Sequence, residues 1–167
     1  MKLCYFFLFS LLFSGCRCVD PWVNSSIRSV YPGSDMAKLV HLPSSPSSGI
    51  LFELVRHCDD IEAYLNVYAL TIPFYQNNPS KAQLICRAGN YTLCFIVDRL
   101  QGGQRLHLSK TVLKELLSFF KKHDEVWIET GYYSQKLQVT LFEKHYKRLY
   151  RKPLRYMPEK LVTFEIY

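Results

Sequence analysis

The sequence has no apolar run long enough to cross a membrane. Its longest such run extends from Leu3 to Phe13, which is shorter than the ~20 residues that a membrane helix needs. The run follows Lys2 and precedes small or polar residues, which is the pattern of a secretory signal peptide. We therefore predict that residues 1–18 are removed and that the protein is secreted and extracellular, with no membrane span.

The same stretch allows a second interpretation. The letters FSGC, which end at Cys16, resemble a bacterial lipidation box, in which that cysteine would carry a lipid. Phe13 fits poorly at the position that such boxes usually fill with Leu. Small residues at Cys16 and Cys18 instead suit cleavage after Cys18, which favours the signal peptide.

The residue patterns of common metal and catalytic sites are also missing. The five histidines include no pair at helical i, i+4 spacing, and they have no C-x-x-C partner, so a structural metal site is not expected. The glycine pair in RLQGGQRL predicts a tight turn rather than a phosphate-binding loop. His57, Cys58 and Asp59 are adjacent, but neighbouring strand residues point to opposite faces, which is a poor arrangement for catalysis. We predict neither an enzyme nor a cofactor.

Few cysteines remain after the predicted leader. Cys58, Cys86 and Cys94 give an odd number in an oxidising compartment, where one pair and one leftover thiol are expected. Cys86 and Cys94 lie symmetrically about Asn90, so a hairpin that turns at residues 88–90 would place them at bridging distance. This pair is the candidate disulfide, and three buried free thiols are the alternative.

Two N-glycosylation sequons are present, at Asn24 and at Asn90. Both lie where a loop is predicted, and in a eukaryotic secretory route both asparagines would carry glycans. Such short motifs also arise by chance, so they add only weak support for secretion.

Short apolar segments dominate the rest of the chain. Residues 19–48, rich in Ser and Pro, predict an extended N-terminal segment. From Gly49 onward, segments rich in Val, Ile, Tyr, Phe and Thr are divided by turn signals, which predicts strands. These segments are 49–57, 63–75, 83–87, 91–100, 125–130, 136–143, 145–151 and 160–167. Eight short strands favour an all-β antiparallel sandwich or barrel, formed as one domain by residues 49–167.

One segment has helical rather than strand periodicity. Residues 109–122 predict a short amphipathic helix because apolar residues recur there with a spacing of three or four. Ser109 is placed to cap its first turn, and Lys121 and Lys122 favour its C-terminal end. The apolar positions are Val112, Leu113, Leu116, Leu117 and Phe120.

The stretch VWIETGYYSQKLQVTLFEKH alternates apolar and polar residues on both sides of a turn. In its first strand Val126 and Ile128 share a face that we predict to be core, and Trp127 and Glu129 share the other. A mixed polar and aromatic outer face is typical of a sheet with one solvated side.

Positive charge accumulates near the C-terminus of a chain whose formal net charge is +7. In residues 142–156 basic residues interleave with tyrosines, on what we predict to be a strand. Lys144, Lys147, Arg148 and Arg151 are the candidates for binding an anionic partner. Secretion argues against nucleic acid as that partner, and a solvated strand face is the alternative.

The second half of the chain resembles a galectin domain. VWIET, LQVTL, YKRLYRKPL and LVTFEI follow one another like the closing strands of that family, and YTLCFIVDRL is similar to the strand that bears its sugar ligands. The resemblance covers about residues 49–167. It implies a galectin-like β-sandwich of jelly-roll type, whose concave sheet would hold a glycan or glycoprotein.

The residues that bind sugar in galectins are altered in this sequence. Cys94 stands where the family has His, Ile96 where it has Asn, and Asp98 or Arg99 where it has Arg. The sugar-stacking Trp of the family is expected within residues 104–116, where there is none. The resemblance therefore implies a degenerate sugar site.

A saccharide site needs an aromatic plane and convergent hydrogen-bonding groups. Arg99, His107, Glu115 and Trp127 are the candidates for rebuilding one, with packing or plain surface exposure as the alternative for each. The leading hypothesis is a secreted galectin-like carbohydrate-binding protein. The alternative is a secreted, non-catalytic interaction module that binds a protein or a sulfated polymer through the basic Tyr-rich strand.

Overall fold

The computed structural model describes residues 20–27, 36–45, 47 and 49–150. Several predictions fall outside these residues: the signal peptide at 1–18, the lipidation alternative at Cys16, the closing strand at 160–167, and the anionic-partner candidate Arg151. The described chain forms nine strands and two helices.

The first seven elements of the described chain are strands, and both helices come after them. The strands are β1 (Trp22–Ile27), β2 (Met36–His41), β3 (Leu51–His57), β4 (Asp60–Asn66), β5 (Lys81–Ala88), β6 (Tyr91–Arg99), β7 (Arg105–Leu108), β8 (Glu125–Thr130) and β9 (Tyr133–Gln138). The helices are α1 (Lys110–Phe120), between β7 and β8, and α2 (Phe142–Leu149), after β9.

All nine strands belong to one antiparallel sheet with the order β1-β2-β3-β4-β7-β6-β5-β8-β9. The sheet is not closed, because β1 and β9 each have only one neighbour. The prediction of a mostly β protein with a short helix near residues 109–122 is confirmed. A two-sheet sandwich or jelly roll is not shown by the described residues.

The sheet curls until its two edges approach each other. The indole Nε1 of Trp22, at the start of β1, donates a 2.6 Å hydrogen bond to the carbonyl oxygen of Gln138, at the end of β9. Side chains on the concave face form the core, as β5 illustrates. Leu84 and Cys86 are buried, whereas Gln83 and Arg87, on the opposite face, are exposed. We call the region where the two edges meet the seam.

The two helices cover the concave face. Ser109 caps α1 by accepting a hydrogen bond from the backbone N–H of Val112, which confirms the predicted helix and its cap. The two helices meet where the Phe120 and Phe142 rings pack 5.2 Å apart. The buried positions of the helices are Leu113, Leu116, Phe119 and Phe120 in α1 and Phe142, His145 and Leu149 in α2.

The prediction of a strand at residues 145–151 is wrong, because residues 142–149 form α2. Alternation of Tyr with Lys and Arg suggested a strand, but Phe142 and Leu149 lie on one buried side with helical spacing. Glu143 and Lys147, four residues apart, form a 2.9 Å ion pair on the exposed side. The preceding strand accordingly ends at Gln138 and not at residue 143.

The N-terminal segment contributes two strands that were not predicted. Residues 22–27 and 36–41 form β1 and β2 inside the same sheet. Trp22 is buried, and the residues of β2 from Ala37 onward are buried or half-buried. The segment was predicted to be extended because it is rich in Ser and Pro, although it contains the largely apolar stretch KLVHL.

The predicted disulfide between Cys86 and Cys94 is not formed. The β5–β6 hairpin turns one residue more tightly than expected, through Gly89 and Asn90, so Cys86 lies opposite Leu93. Gly89 has a φ of +55°, a conformation that glycine adopts readily. Because a one-residue shift moves a side chain to the other face of a sheet, Cys86 is buried and Cys94 is exposed.

Candidate functional site

The four residues predicted to bind carbohydrate do not converge. Trp127 is 45% exposed on the outer face of β8, and His107 lies on β7, with β5 and β6 between them. Three strand spacings place β7 about 14 Å from β8, and the register of the sheet also offsets the two residues along the strands. Glu115 is exposed on α1, away from the outer face of the sheet.

Arg99 and His107 have structural partners. The Arg99 guanidinium donates hydrogen bonds to the carbonyl oxygens of Ile72 (2.7 Å) and Pro79 (3.1 Å), which fastens the loop between β4 and β5. The Nδ1 atom of His107 lies 3.7 Å from Asp98. Trp127 borders a cleft between described residues.

The predicted anionic-partner residues of α2 are exposed and are joined by lysines of α1. Lys144, Lys147 and Arg148 project from α2. Because α1 and α2 pack side by side, exposed lysines of α1 extend the same positive region. They are Lys110 and Lys114 within the helix and Lys121 at its C-terminal cap. We call Lys110, Lys114, Lys121, Lys144, Lys147 and Arg148 the basic helical surface.

A groove of about 450 Å³ runs between the two helices. Its apolar walls include Leu117 and Tyr146, and Lys110, Lys114 and Lys121 also line it. Burial raises the pKa of Tyr146, and the hydrogen bond with the Tyr150 hydroxyl (2.9 Å) adds to this effect. Tyr146 therefore stays an uncharged aromatic wall at neutral pH.

Acidic residues offset only part of this charge. Lys147 pairs with Glu143 at 2.9 Å, and Lys110 pairs with Asp60 at 2.7 Å. The hydrogen bond and charge of Lys147 lower the pKa of Glu143, and Lys121 contributes to the same shift. Both pairs are highly exposed, and such pairs are weak and screened by salt, so an anionic ligand can compete for these lysines.

A second cleft of about 590 Å³ lies at the seam. His41, Ser44, Trp127, Gln135 and Lys136 are among its lining residues, and we call it the seam cleft. The buried Gln135 side chain accepts hydrogen bonds at Oε1 from the Ser44 hydroxyl (3.0 Å) and backbone N–H (3.2 Å). These bonds connect β9 with the segment after β2 and shape the cleft wall.

His41 is the most unusual residue of the seam cleft. It is 2% exposed, and its ring packs edge-on against Trp22 with 4.8 Å between the centroids. Neither ring nitrogen makes a hydrogen bond of ordinary geometry with the residues that the structure describes. Burial lowers the pKa of His41 to about 4, although the Leu42 backbone and Asp20 favour the protonated ring. His41 is therefore neutral at neutral pH.

A second buried histidine ties α2 to β1. His145 contacts the Asp20 carboxylate through Nε2 (2.8 Å) and Asn24 Oδ1 through Nδ1 (2.5 Å). Burial would raise the pKa of Asp20, but hydrogen bonds from the Trp22 backbone N–H and from His145 lower it below its ordinary value. No nucleophilic side chain among the described residues hydrogen-bonds to this group, so its geometry serves the packing of α2.

The two sequons lie in different settings. Asn90 is exposed in the β5–β6 turn. Asn24 is half-buried in β1, and its amide nitrogen donates a 3.1 Å hydrogen bond to the carbonyl oxygen of His145. A glycan on Asn24 would have to leave that contact in place, whereas a glycan on Asn90 would project into solvent.

Sequence reasoning missed His41 and His145 as well as the lysines of α1. The signal for His41 was its position directly after Leu39 and Val40, since a polar residue that continues an apolar stretch of a strand can be buried. For His145 the signal was its spacing of three and four residues from Phe142 and Leu149.

Within the described chain, no cluster of three or more His, Cys, Asp or Glu side chains is placed to hold a metal ion. Neither described helix combines the length and the apolar character needed to cross a membrane. Comparison of the chain with protein-family models, with curated proteins and with solved structures gives no match.

Proposed function

We propose that this chain is a secreted, non-catalytic binding protein that recognises an anionic polymer, such as a sulfated polysaccharide, through the basic helical surface. The observation that carries the proposal is the presence of six exposed cationic side chains on two packed helices, three of which line the groove between the helices. Clustered charge of one sign raises the local concentration of an oppositely charged ligand.

The spacing of the cations suits an extended ligand. Along α1, Lys114 lies about 6 Å from Lys110 and about 10 Å from Lys121. All three line the groove, whereas Lys144 and Arg148 lie on the exposed side of α2. A linear polyanion lying in the groove would contact several cations at once, and Tyr146 offers an aromatic face to a sugar ring.

The proposal is tested by binding to immobilised sulfated polysaccharide. The double variant Lys114→Glu, Arg148→Glu reverses two cations that form no ion pair within the described chain, and we expect it to elute at markedly lower salt. Arg87→Glu is the control for a charge reversal away from the helices, because Arg87 is half exposed on the outer face of β5, where it pairs with Glu129 at 3.3 Å. Equal elution of the wild-type protein and the double variant would contradict the proposal.

Recognition of a neutral glycan is the second candidate function, as the galectin resemblance implies. Its support is Trp127, whose half-exposed indole borders the seam cleft and offers a plane on which a sugar can stack. The galectin-like jelly roll stays a prediction linked to this candidate. Binding that survives high salt and is lost in Trp127→Ala would support a lectin function, since exposed charge interactions are screened under those conditions.

A further inference from the structure

We propose that the loop between β4 and β5, together with the β8–β9 turn, docks on the surface of a zwitterionic phospholipid bilayer and inserts its exposed apolar side chains there. These side chains are Tyr68, Leu70, Phe74 and Tyr132, each of which is more than half exposed. We call them the apolar tip. This binding function is separate from that of the basic helical surface and does not rest on it.

The loop and the turn form one continuous surface at one end of the sheet. The Tyr133 hydroxyl donates a 2.7 Å hydrogen bond to the carbonyl oxygen of Leu70 and accepts one from the backbone N–H of the same residue. Gly131 packs so closely on Pro73 that a Cβ atom there would overlap the proline ring. Tyr132 lies between these two contacts, so its ring is presented beside the loop.

The loop is held in one shape by hydrogen bonds to its backbone. The N–H of Ile72 donates to the Gly103 carbonyl (2.7 Å), and the N–H of Tyr75 donates to the Lys81 carbonyl (2.8 Å). Arg99 donates to the Ile72 carbonyl (2.7 Å). Paired backbone groups are what an apolar medium requires, because lipid offers no hydrogen-bond partners. An ordered loop also loses less conformational entropy when it binds.

The charge of this end of the molecule identifies the lipid. Residues 67–80 and 130–135 contain no Asp, Glu, Lys or Arg, so insertion buries no charge, which would be costly. Tyrosine suits the membrane interface because its ring is apolar and its hydroxyl can stay hydrated. Without a cation in either segment, the apolar tip gives anionic headgroups no advantage, and its binding should resist salt.

The size of the apolar tip favours a membrane over a protein partner. A buried aromatic side chain covers about 150–250 Å², so four large side chains that are more than half exposed present on the order of 450 Å². Exposed apolar patches of this size mark interaction sites. A stable protein interface, however, needs about 800 Å² on each partner. Insertion into a bilayer has no such requirement, since each side chain enters the lipid separately.

The test is flotation of the full chain with phosphatidylcholine vesicles at high salt, which screens exposed charges. We expect the double variant Leu70→Ser, Tyr132→Ser to bind at least about tenfold more weakly than the wild-type protein, or about 1.4 kcal/mol. The matched control is Ile96→Ser, Tyr91→Ser, which changes an exposed aliphatic residue and an exposed tyrosine of β6. The control should bind like the wild-type protein.

A tryptophan reporter locates the contact. In Tyr132→Trp we expect vesicles to shift the emission to the blue, and lipids brominated in the acyl chain to quench it, beyond the changes seen in the wild-type protein. Absence of wild-type binding, equal binding by the two double variants, or a reporter that is not quenched would overturn the inference.

Two further measurements separate this function from others. Lys114→Glu, Arg148→Glu should keep vesicle binding at high salt while it loses polyanion binding, so either function can fail without the other. Gel filtration without lipid tests for contact between copies of the chain. A wild-type dimer that dissociates in Leu70→Ser, Tyr132→Ser would assign the apolar tip to that contact and contradict the membrane role.

Discussion

The indole Nε1 of Trp22 hydrogen-bonds to the carbonyl oxygen of Gln138 at 2.6 Å, and this contact joins the first and last strands of a nine-stranded sheet. The two residues are 116 positions apart in the chain. Trp22 is also buried against the rings of His41, Phe52 and Phe142. One side chain therefore connects the edge of the sheet, the helical layer and the wall of the seam cleft.

Replacing Trp22 should destabilise the fold strongly. We expect Trp22→Ala to lower the free energy of unfolding by about 3–5 kcal/mol, the range for truncating a buried aromatic residue. Trp22→Phe keeps a ring but loses the hydrogen bond, which is worth about 1 kcal/mol. Urea unfolding measures both changes, with Trp127→Phe as the exposed control. A loss no larger in Trp22→Ala than in the control would contradict the role of the seam contact.

His41 should make stability depend on pH in a defined window. Its pKa is 6.5 when unfolded and about 4 when folded, so between these values the unfolded chain binds more protons and stability falls as the pH falls. The shift corresponds to about 3 kcal/mol over the whole window. We expect His41→Leu to flatten the curve between pH 6.5 and 4. Parallel unfolding curves for the two proteins across that window would refute this assignment.

The contact between His145 and Asp20 should hold α2 against β1. His145→Leu would leave the Asp20 carboxylate and the Asn24 amide oxygen without this partner, which we expect to cost about 1–3 kcal/mol. Because the folded pKa of Asp20 is lowered, its contribution is present above the unfolded value of 3.8 and disappears as the pH falls below it. Amide hydrogen exchange of α2 should speed up in the variant; unchanged exchange would count against the contact.

The two thiols of the β5–β6 hairpin should differ in reactivity. Burial raises the pKa of Cys86 to about 12, and thiolates are the reactive species, so Cys86 should resist alkylation in the folded protein. Cys94 is exposed and should be labelled under the same conditions. Peptide mass spectrometry before and after denaturation checks this. A disulfide-linked peptide pair would show that the hairpin register is different.

Local sequence patterns predicted those parts of the fold in which apolar residues recur with a single clear spacing, either helical or alternating. The apolar spacing of residues 109–122 and the cap at Ser109 identified α1 because both signals agreed. Strand β8 was also predicted, with Val126 and Ile128 inward and Trp127 outward, as the structure shows. Its partner β9 was predicted at residues 136–143 but spans Tyr133–Gln138. In each case the alternation or the helical spacing extended over enough residues to exclude the other period.

Other parts of the fold depended on contacts that a single sequence does not display. In α2 the buried residues Phe142 and Leu149 lie among tyrosines and basic residues whose order also fits a strand. Packing of Phe142 against Phe120 favours the helix. β1 and β2 depend on pairing with β3 and on burial of Trp22. The order of the sheet, which brings β1 to the seam beside β9, follows from long-range pairing alone.

The candidate sites show the same division. Lys144, Lys147 and Arg148 could be identified from charge along the chain, but their union with the lysines of α1 needs the packing of the two helices. His41 is one histidine among five in the sequence. Its distinction is its burial against Trp22 at the seam, and this burial depends on the curling of the sheet.

The central claim, polyanion binding by the basic helical surface, is tested most directly by one titration. The affinity of the protein for a sulfated polysaccharide would be measured at low and high salt, with the double variant Lys114→Glu, Arg148→Glu and the control Arg87→Glu alongside. We predict that the double variant loses affinity at least about tenfold, or about 1.4 kcal/mol, that the control keeps it, and that salt weakens the wild-type complex because it screens exposed charges. Equal binding by all three proteins, or binding that salt does not weaken, would contradict the account.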